Sequence, residues 1–153
     1  MAISAATVWE VRTAGNDTNG GGFVTGAAGT DYSQQDAKNT ATGTDDSTTD
    51  AVANGTTTIT SATANFGASI VGNIIFLSGG TGSLAATRRQ VTARTNATTI
   101  TVDANVATGT GITMNIGGAC ATLGGAAVNF GTNNTVWLKS GSYTQRSATS
   151  NVK

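Results

Sequence analysis

Residues 129–145 read NFGTNNTVWLKSGSYTQ. Gly131, Asn133 and Asn134 spell a turn, because Gly and Asn tolerate backbone conformations that other residues resist. The run Thr135-Val136-Trp137-Leu138-Lys139 then predicts a strand. Its period of two places Val136 and Leu138 on one face and Thr135, Trp137 and Lys139 on the other. Ser140-Gly141 predicts a second turn, and Tyr143-Thr144 a short strand after it. A strand, a sharp glycine corner and another strand describe the first bend of a coil of sheet and not a simple hairpin. Just upstream, residues 119–128 (ACATLGGAAV) predict one short helical or capping turn, Ala-rich but weakened by Gly124 and Gly125.

A second stretch near the N-terminus belongs with the first. Val8-Trp9-Glu10-Val11-Arg12 leads into Gly15-Asn16-Asp17-Thr18-Asn19-Gly20-Gly21-Gly22. Together with ATL at 121–123 and TVWLKSGSYT at 135–144, it resembles the opening of a right-handed parallel β-helix of the pectate-lyase-like superfamily. In such chains a short strand and Gly/Asn/Asp loop precede an A-T-L capping helix and the first coil. The resemblance covers about a quarter of the chain. About ninety residues separate two halves that normally lie close together, so it implies that the intervening segment is an insertion.

Composition frames what that fold can be. The chain has 153 residues, of which 38% are apolar, 5% aromatic and 10% charged. It contains 30 Thr, 21 Gly and no Pro. Thr with scattered Ile and Val favours strands, while Gly and Asn favour the turns between them. Eight basic and eight acidic residues cancel, so low hydropathy is not matched by the high net charge of a disordered chain. The apolar content is thin for an independent core, which predicts burial against a partner or a second copy. No apolar run approaches the roughly eighteen residues of a membrane span. MAISAATVW lacks the basic and long apolar regions of a signal peptide.

Charge is unevenly placed. Residues 1–76 hold seven acids against Arg12 and Lys38, net −5. Residues 77–153 hold Asp103 against six basic residues, net +5. Ordinary solvated charge explains this, and contact between unlike halves is the sharper reading. Neither half is basic enough for a nucleic-acid partner.

The rest of the chain divides into four. Residues 1–26 carry the opening strand and Gly-rich loop. Residues 27–53 predict an extended polar arm or loop; the polar stretch from Phe23 to Asp50 holds Tyr32 as its one Tyr or Trp, and loops of that length usually bind something. Residues 54–116 predict a small antiparallel barrel or sandwich, with strands at 56–60, 73–77, 89–95, 98–102 and 112–116. Within it, Gly55-Thr56-Thr57-Thr58-Ile59-Thr60 recurs as Asn96-Ala97-Thr98-Thr99-Ile100-Thr101. Phe66 and Val71 are expected to cover one end, with Ile74 and Phe76 on one face and Ile59, Ile100 and Val102 completing the core. This segment resembles small β modules of tailed-phage virion proteins. Residues 117–153 predict the capping turn and first coil.

Catalytic chemistry finds few candidates. There is no His, which removes the commonest general base and most zinc sites. Cys120 stands alone, so no disulfide or cysteine metal site forms within one chain. Asn16, Asp17 and Asn19 offer oxygen ligands for calcium, but a turn stabilised by Asx side chains is the simpler reading. Asp45, Asp46 and Asp50 form the densest carboxylate cluster, yet nothing apolar surrounds them to tune a pKa, which predicts a solvated loop. Arg88 and Arg89 point to opposite faces of a strand, one expected to pair with an acid and one to face solvent. Trp9 and Trp137 could stack on sugars; packing in a core is the preferred reading. Sequons at Asn16, Asn54, Asn96 and Asn133 arise by chance in a Thr- and Asn-rich chain.

The expectation is therefore an all-β protein, a small antiparallel module inserted into the start of a β-helix-like coil, with no catalytic, cofactor or metal site. The resemblances imply a structural component of a bacteriophage particle: a capsid decoration protein or the anchoring region of a head or tail fibre, located in the virion. Its expected partners are copies of itself, as a homotrimer, other virion proteins, and a host-surface glycan. The alternatives are the N-terminal part of a carbohydrate-binding or -degrading tailspike, and a bacterial surface adhesin. One coil cannot bury its own interior and about three repeats are needed, so further coils or neighbouring chains are expected to complete it.

Overall fold

The computed structural model describes residues 3–40, 43–127 and 131–143. It is all-β, with strands β1 (Thr7–Val11), β2 (Gly22–Val24), β3 (Thr48–Ala53), β4 (Thr58–Thr60), β5 (Ile74–Ser78), β6 (Thr81–Gly82), β7 (Thr87–Asn96), β8 (Thr99–Val102), β9 (Gly109–Ile116) and β10 (Thr135–Leu138). A single turn of helix, α1 (Leu123–Ala127), falls within the stretch where one short helical turn is expected. None of the described helices is long and apolar enough to cross a membrane.

Six strands close an antiparallel barrel in the order β3-β4-β8-β7-β5-β9, with β9 pairing back to β3. The internal echo explains one seam. Its two copies become β4 and β8, which lie side by side with Ile59 opposite Ile100 and Thr58 opposite Thr101. Matched apolar pairs on the inner face and Thr pairs outside stabilise such a ladder. The β7–β8 hairpin is closed by Asn96, whose Oδ1 accepts from Thr98 N and Oγ1. Strands β5 and β6 run along the same side of β9 and are broken at Gly79 and Gly80, both at positive φ. Only Gly adopts two such residues in succession without strain.

The barrel interior holds Ile59, Phe66, Leu77, Ile100, Val102 and Met114 among others, all at most 2% exposed. Ile59, Ile100 and Val102 take their expected places in the core, and Phe66 is buried in the same cluster with Val71 packed against it. Strand β5 faces the other way from expectation: Ile75 and Leu77 point into the barrel, whereas Ile74 belongs to a second core and Phe76 lies under Arg88. Both faces of β5 are covered, so its alternation could not tell the two cores apart.

The second core consists of Trp9, Val11, Ile74, Cys120 and Ala126, with Val136 and Leu123 packed against it. It lies beneath a three-stranded sheet of order β10-β1-β2. β1 and β10 pair in parallel, Val8 with Thr135 through Val11 with Leu138. The two halves of the β-helix-like opening therefore do meet, across more than a hundred residues. β2 pairs antiparallel with β1, so the described residues form a mixed sheet with one parallel pair and not a coil. The expected strand at Tyr143-Thr144 is not formed at Tyr143, and Thr144 lies outside the described residues.

The polar arm expected over 27–53 needs correction. Residues 48–53 are β3, a strand of the barrel wall. Their inward residues are Ala51 and Ala53, small enough to fit a narrow barrel. Residues 30–39 are tied to the rest of the chain by backbone hydrogen bonds: Thr30 N to Ser69 O, Gly118 N to Tyr32 O, Ala119 N to Gln35 O and Asn39 N to Ile116 O. Gly117 and Gly118, both at φ +71, let the chain turn out of β9 beneath this segment.

Candidate functional site

The carboxylates are built into the fold. Asp45 and Asp46 are buried, not solvated as expected. Asp45 sits at φ +57 and accepts from Gly67 N at 2.7 Å, Ser69 Oγ at 2.5 Å and Tyr32 Oη at 3.1 Å. Asp50 accepts from the hydroxyls of Thr48 and Ser61 and from Ala62 N and Thr63 N, both at 3.1 Å. Asn16, Asp17 and Asn19 do not converge on one point. Asn16 Oδ1 accepts from Thr18 N, which is the Asx turn. Asp17 caps the chain before α1 by accepting from Ala121 N, Thr122 N and Thr122 Oγ1. Asn19 donates to Asp36 O and Ala119 O. Asp17, Asp45 and Asp50 thus serve hydrogen-bond donors of the backbone or of hydroxyls, the role Asp plays in turns.

This arrangement has a pH consequence at Asp50. Burial raises its pKa, but the hydrogen bonds from Ser61, Thr48 and Thr63 outweigh that and hold it at about 2. The depressed value means that Asp50 contributes stability above its unfolded pKa of about 3.9 and loses it as pH falls through 2. Denaturation midpoints measured between pH 5 and pH 2 should therefore decline less steeply in Asp50→Asn than in wild type, from a lower starting stability. An unchanged slope would overturn the assignment. Glu10 works in the opposite sense, since burial raises its pKa against the pull of Arg12.

The two arginines also depart from expectation. Neither forms an ion pair with a described acid; the described ion pairs use Arg12 and Lys139, on Glu10 and Asp36. Lys139–Asp36, at 4.0 Å, joins the basic to the acidic part of the chain. Arg88 is 3% exposed. It lies over the Phe76 ring at 4.9 Å and donates to the carbonyls of Asp17, Asn19, Gly20 and Gly125. Arg89 donates to Thr87 Oγ1, Arg88 O and Asn105 O. Cys120 is buried beside Arg88, and burial pushes its thiol up to about 11, so it stays protonated.

Trp9 is buried, as expected, but Trp137 is 53% exposed. It shares the outward face of β10 with Thr135, and neighbouring Leu138 is 51% exposed. β10 is the outer strand of its sheet, so an apolar surface lies along a strand whose far edge is unpaired among the described residues.

A concave site lies on the segment before β3. Tyr32, Gln35, Lys38, Asn39, Thr40 and Thr44 line a cleft of about 390 Å³. Asp31 shapes its near wall by capping the 3₁₀ turn Tyr32–Gln34, its Oδ1 accepting from Ser33 N at 2.9 Å. Tyr32 N donates to Asn73 Oδ1 at 3.0 Å, which fastens the same wall to the barrel. Lys38 is half-buried, and its Nζ donates to Asn115 Oδ1 at 2.7 Å. Gln35 Nε2 donates to Asn39 Oδ1 at 2.7 Å, and Asn39 Nδ2 to Asp45 O at 3.1 Å. Sequence reading missed this cleft because its residues carry no motif; the length of the polar stretch was the one usable signal. Comparison with family models, curated proteins and solved structures finds no match to this chain.

Proposed function

We propose that this chain is a structural component of a tailed-phage particle, a capsid decoration protein or the anchoring region of a head or tail fibre, working as a homotrimer. The observation that carries the reading is the parallel β1–β10 pair, whose outer strand presents Trp137 and Leu138 to solvent. An outer strand of this kind is a template for another strand, and in a β-helix the next coil would take that place. A neighbouring chain can supply it equally well. The Thr-rich barrel and the resemblance to virion β modules support the same reading, and three-fold symmetry follows from that resemblance. A glycan-contacting tailspike segment is the second reading, favoured by the polar cleft at Tyr32 and Lys38.

Mass photometry across micromolar concentrations should report a trimer, and Trp137→Ser with Leu138→Ser should shift it to a folded monomer whose unfolding midpoint no longer rises with protein concentration. A wild-type monomer throughout would overturn the assembly. Mass spectrometry of purified phage particles from the culture that produces the chain tests its place; its absence from them would overturn the virion reading.

A further inference from the structure

We propose that the cleft lined by Tyr32, Gln35, Lys38, Asn39, Thr40 and Thr44 binds an acidic saccharide, with Lys38 taking the carboxylate. The cleft is charged at one point. None of these lining side chains is acidic, and Lys38 takes part in none of the described ion pairs. Its Nζ donates to a neutral amide oxygen, that of Asn115, a residue 4% exposed. An ammonium has three donors, so that bond aims Lys38 while leaving two protons for a ligand. A half-buried cation outside the described ion pairs favours an anion, because partial burial strengthens the pair.

The neutral groups set the rest of the ligand's chemistry. Gln35 and Asn39 are bonded to each other and, through Asn39, to the backbone at Asp45, so their amides are held in place before anything binds. Gln35 uses one N–H of its amide on Asn39 and keeps its Oε1 as an acceptor for a hydroxyl. Tyr32 is fixed at both ends, by Asn73 at its N–H and by Asp45 at its hydroxyl. Pre-positioned amides and hydroxyls around a single cation suit a ligand with one negative charge and several hydroxyls. A phosphate would be better served by an Arg fork or a cluster of backbone N–H groups. A volume of about 390 Å³ lies at the small end of ligand clefts, roughly 300–1,000 Å³, which suits one or two sugar rings. The proposal deepens the glycan-contacting reading; it concerns a different surface from β10, so its failure leaves assembly through β10 untouched.

Amide chemical shifts of the full chain, titrated with sodium glucuronate and sodium galacturonate, test it. At least one uronate should give saturable shifts at residues 35, 38, 39, 40 and 44. Glucose, acetate and inorganic phosphate should each bind about tenfold more weakly or worse. Lys38→Met should weaken uronate binding about tenfold or more, the scale of one charge-assisted hydrogen bond. Gln35→Ala, which leaves the Lys38–Asn115 bond alone, should weaken it severalfold and keeps the test open if Lys38→Met fails to fold. No saturable shift with either uronate would overturn the proposal. So would acetate or phosphate binding as tightly as the uronates, or Gln35→Ala and a folded Lys38→Met binding like wild type.

Discussion

Replacing Arg88 by Met is expected to destabilise the protein by about 3–5 kcal/mol, the range found when one side of a buried charged network is removed. Arg88 projects from the outside of the barrel, opposite Phe76 in the β5–β7 ladder. There it meets the carbonyls of Asp17, Asn19 and Gly20 from the loop after β1, and of Gly125 from α1. Without the guanidinium, several acceptors facing a water-poor interface lose a donor, each at about 1–3 kcal/mol. Met fills much of the volume, so the loss is polar and not a cavity. Lys in place of Arg should recover little, because one ammonium cannot span carbonyls that the planar fork reaches together. Arg89 is the internal control. It faces the opposite side, its Nε has no partner among the described residues, and its Nη atoms donate to Thr87 Oγ1, Arg88 O and the exposed Asn105 O, so Arg89→Met should cost less than Arg88→Met, about 1–2 kcal/mol. Urea denaturation of the three variants measures this directly. Equal effects of Arg88→Met and Arg89→Met would show that the network does not hold the two cores together.

The arginine pair also shows where sequence reading stops. Alternation placed Arg88 and Arg89 on opposite faces correctly, but the expected partner of the buried one was an acid and not a set of backbone carbonyls. Loop 15–22 covers one of them, and nothing local to β7 announces that. The same limit explains β3. Its inward residues are Ala51 and Ala53, because a six-stranded barrel leaves little room along that seam, so the apolar signal is faint. Strands β4 and β8 were legible because Ile59 and Ile100 repeat the same Thr-flanked pattern and then pair. The candidate cleft was the least legible part. Residues 30–39 are held in part by polar side chains such as Asn73 and Asn19 acting on their backbone groups, and hydropathy is blind to that kind of order. The meeting of β1 with β10 rested on resemblance, since no periodicity links residues 8 and 135.

Measured at concentrations where the chain is monomeric, Trp9→Ala should cost about 3–5 kcal/mol, while Trp137→Ala should change stability by no more than about 0.5 kcal/mol. The residues are of one type and lie on adjacent paired strands, yet they face different environments. Trp9 is fully buried among Val11, Ile74 and Cys120. The backbone at Gly22 passes so close that an added methyl would lie 3.2 Å from the Trp9 ring, so the cavity left by Ala cannot be refilled by a neighbouring side chain there. Trp9 Nε1 also donates to Asn134 Oδ1 at 3.1 Å, and Asn134 in turn donates to Ser4 O at 2.9 Å. This chain of bonds anchors the turn that delivers β10 to β1. Trp9→Phe keeps most of the apolar contact and removes the N–H, so it should cost about 1–2 kcal/mol and mainly loosen β10. Hydrogen exchange separates the two effects. In Trp9→Phe, the Lys139 amide, which donates to Val11 O at 3.0 Å, should exchange faster, while the barrel amide of Phe66 stays protected. Equal acceleration at both sites would mean that the two cores unfold as one unit, and the parallel pair would then have no stability of its own to lose.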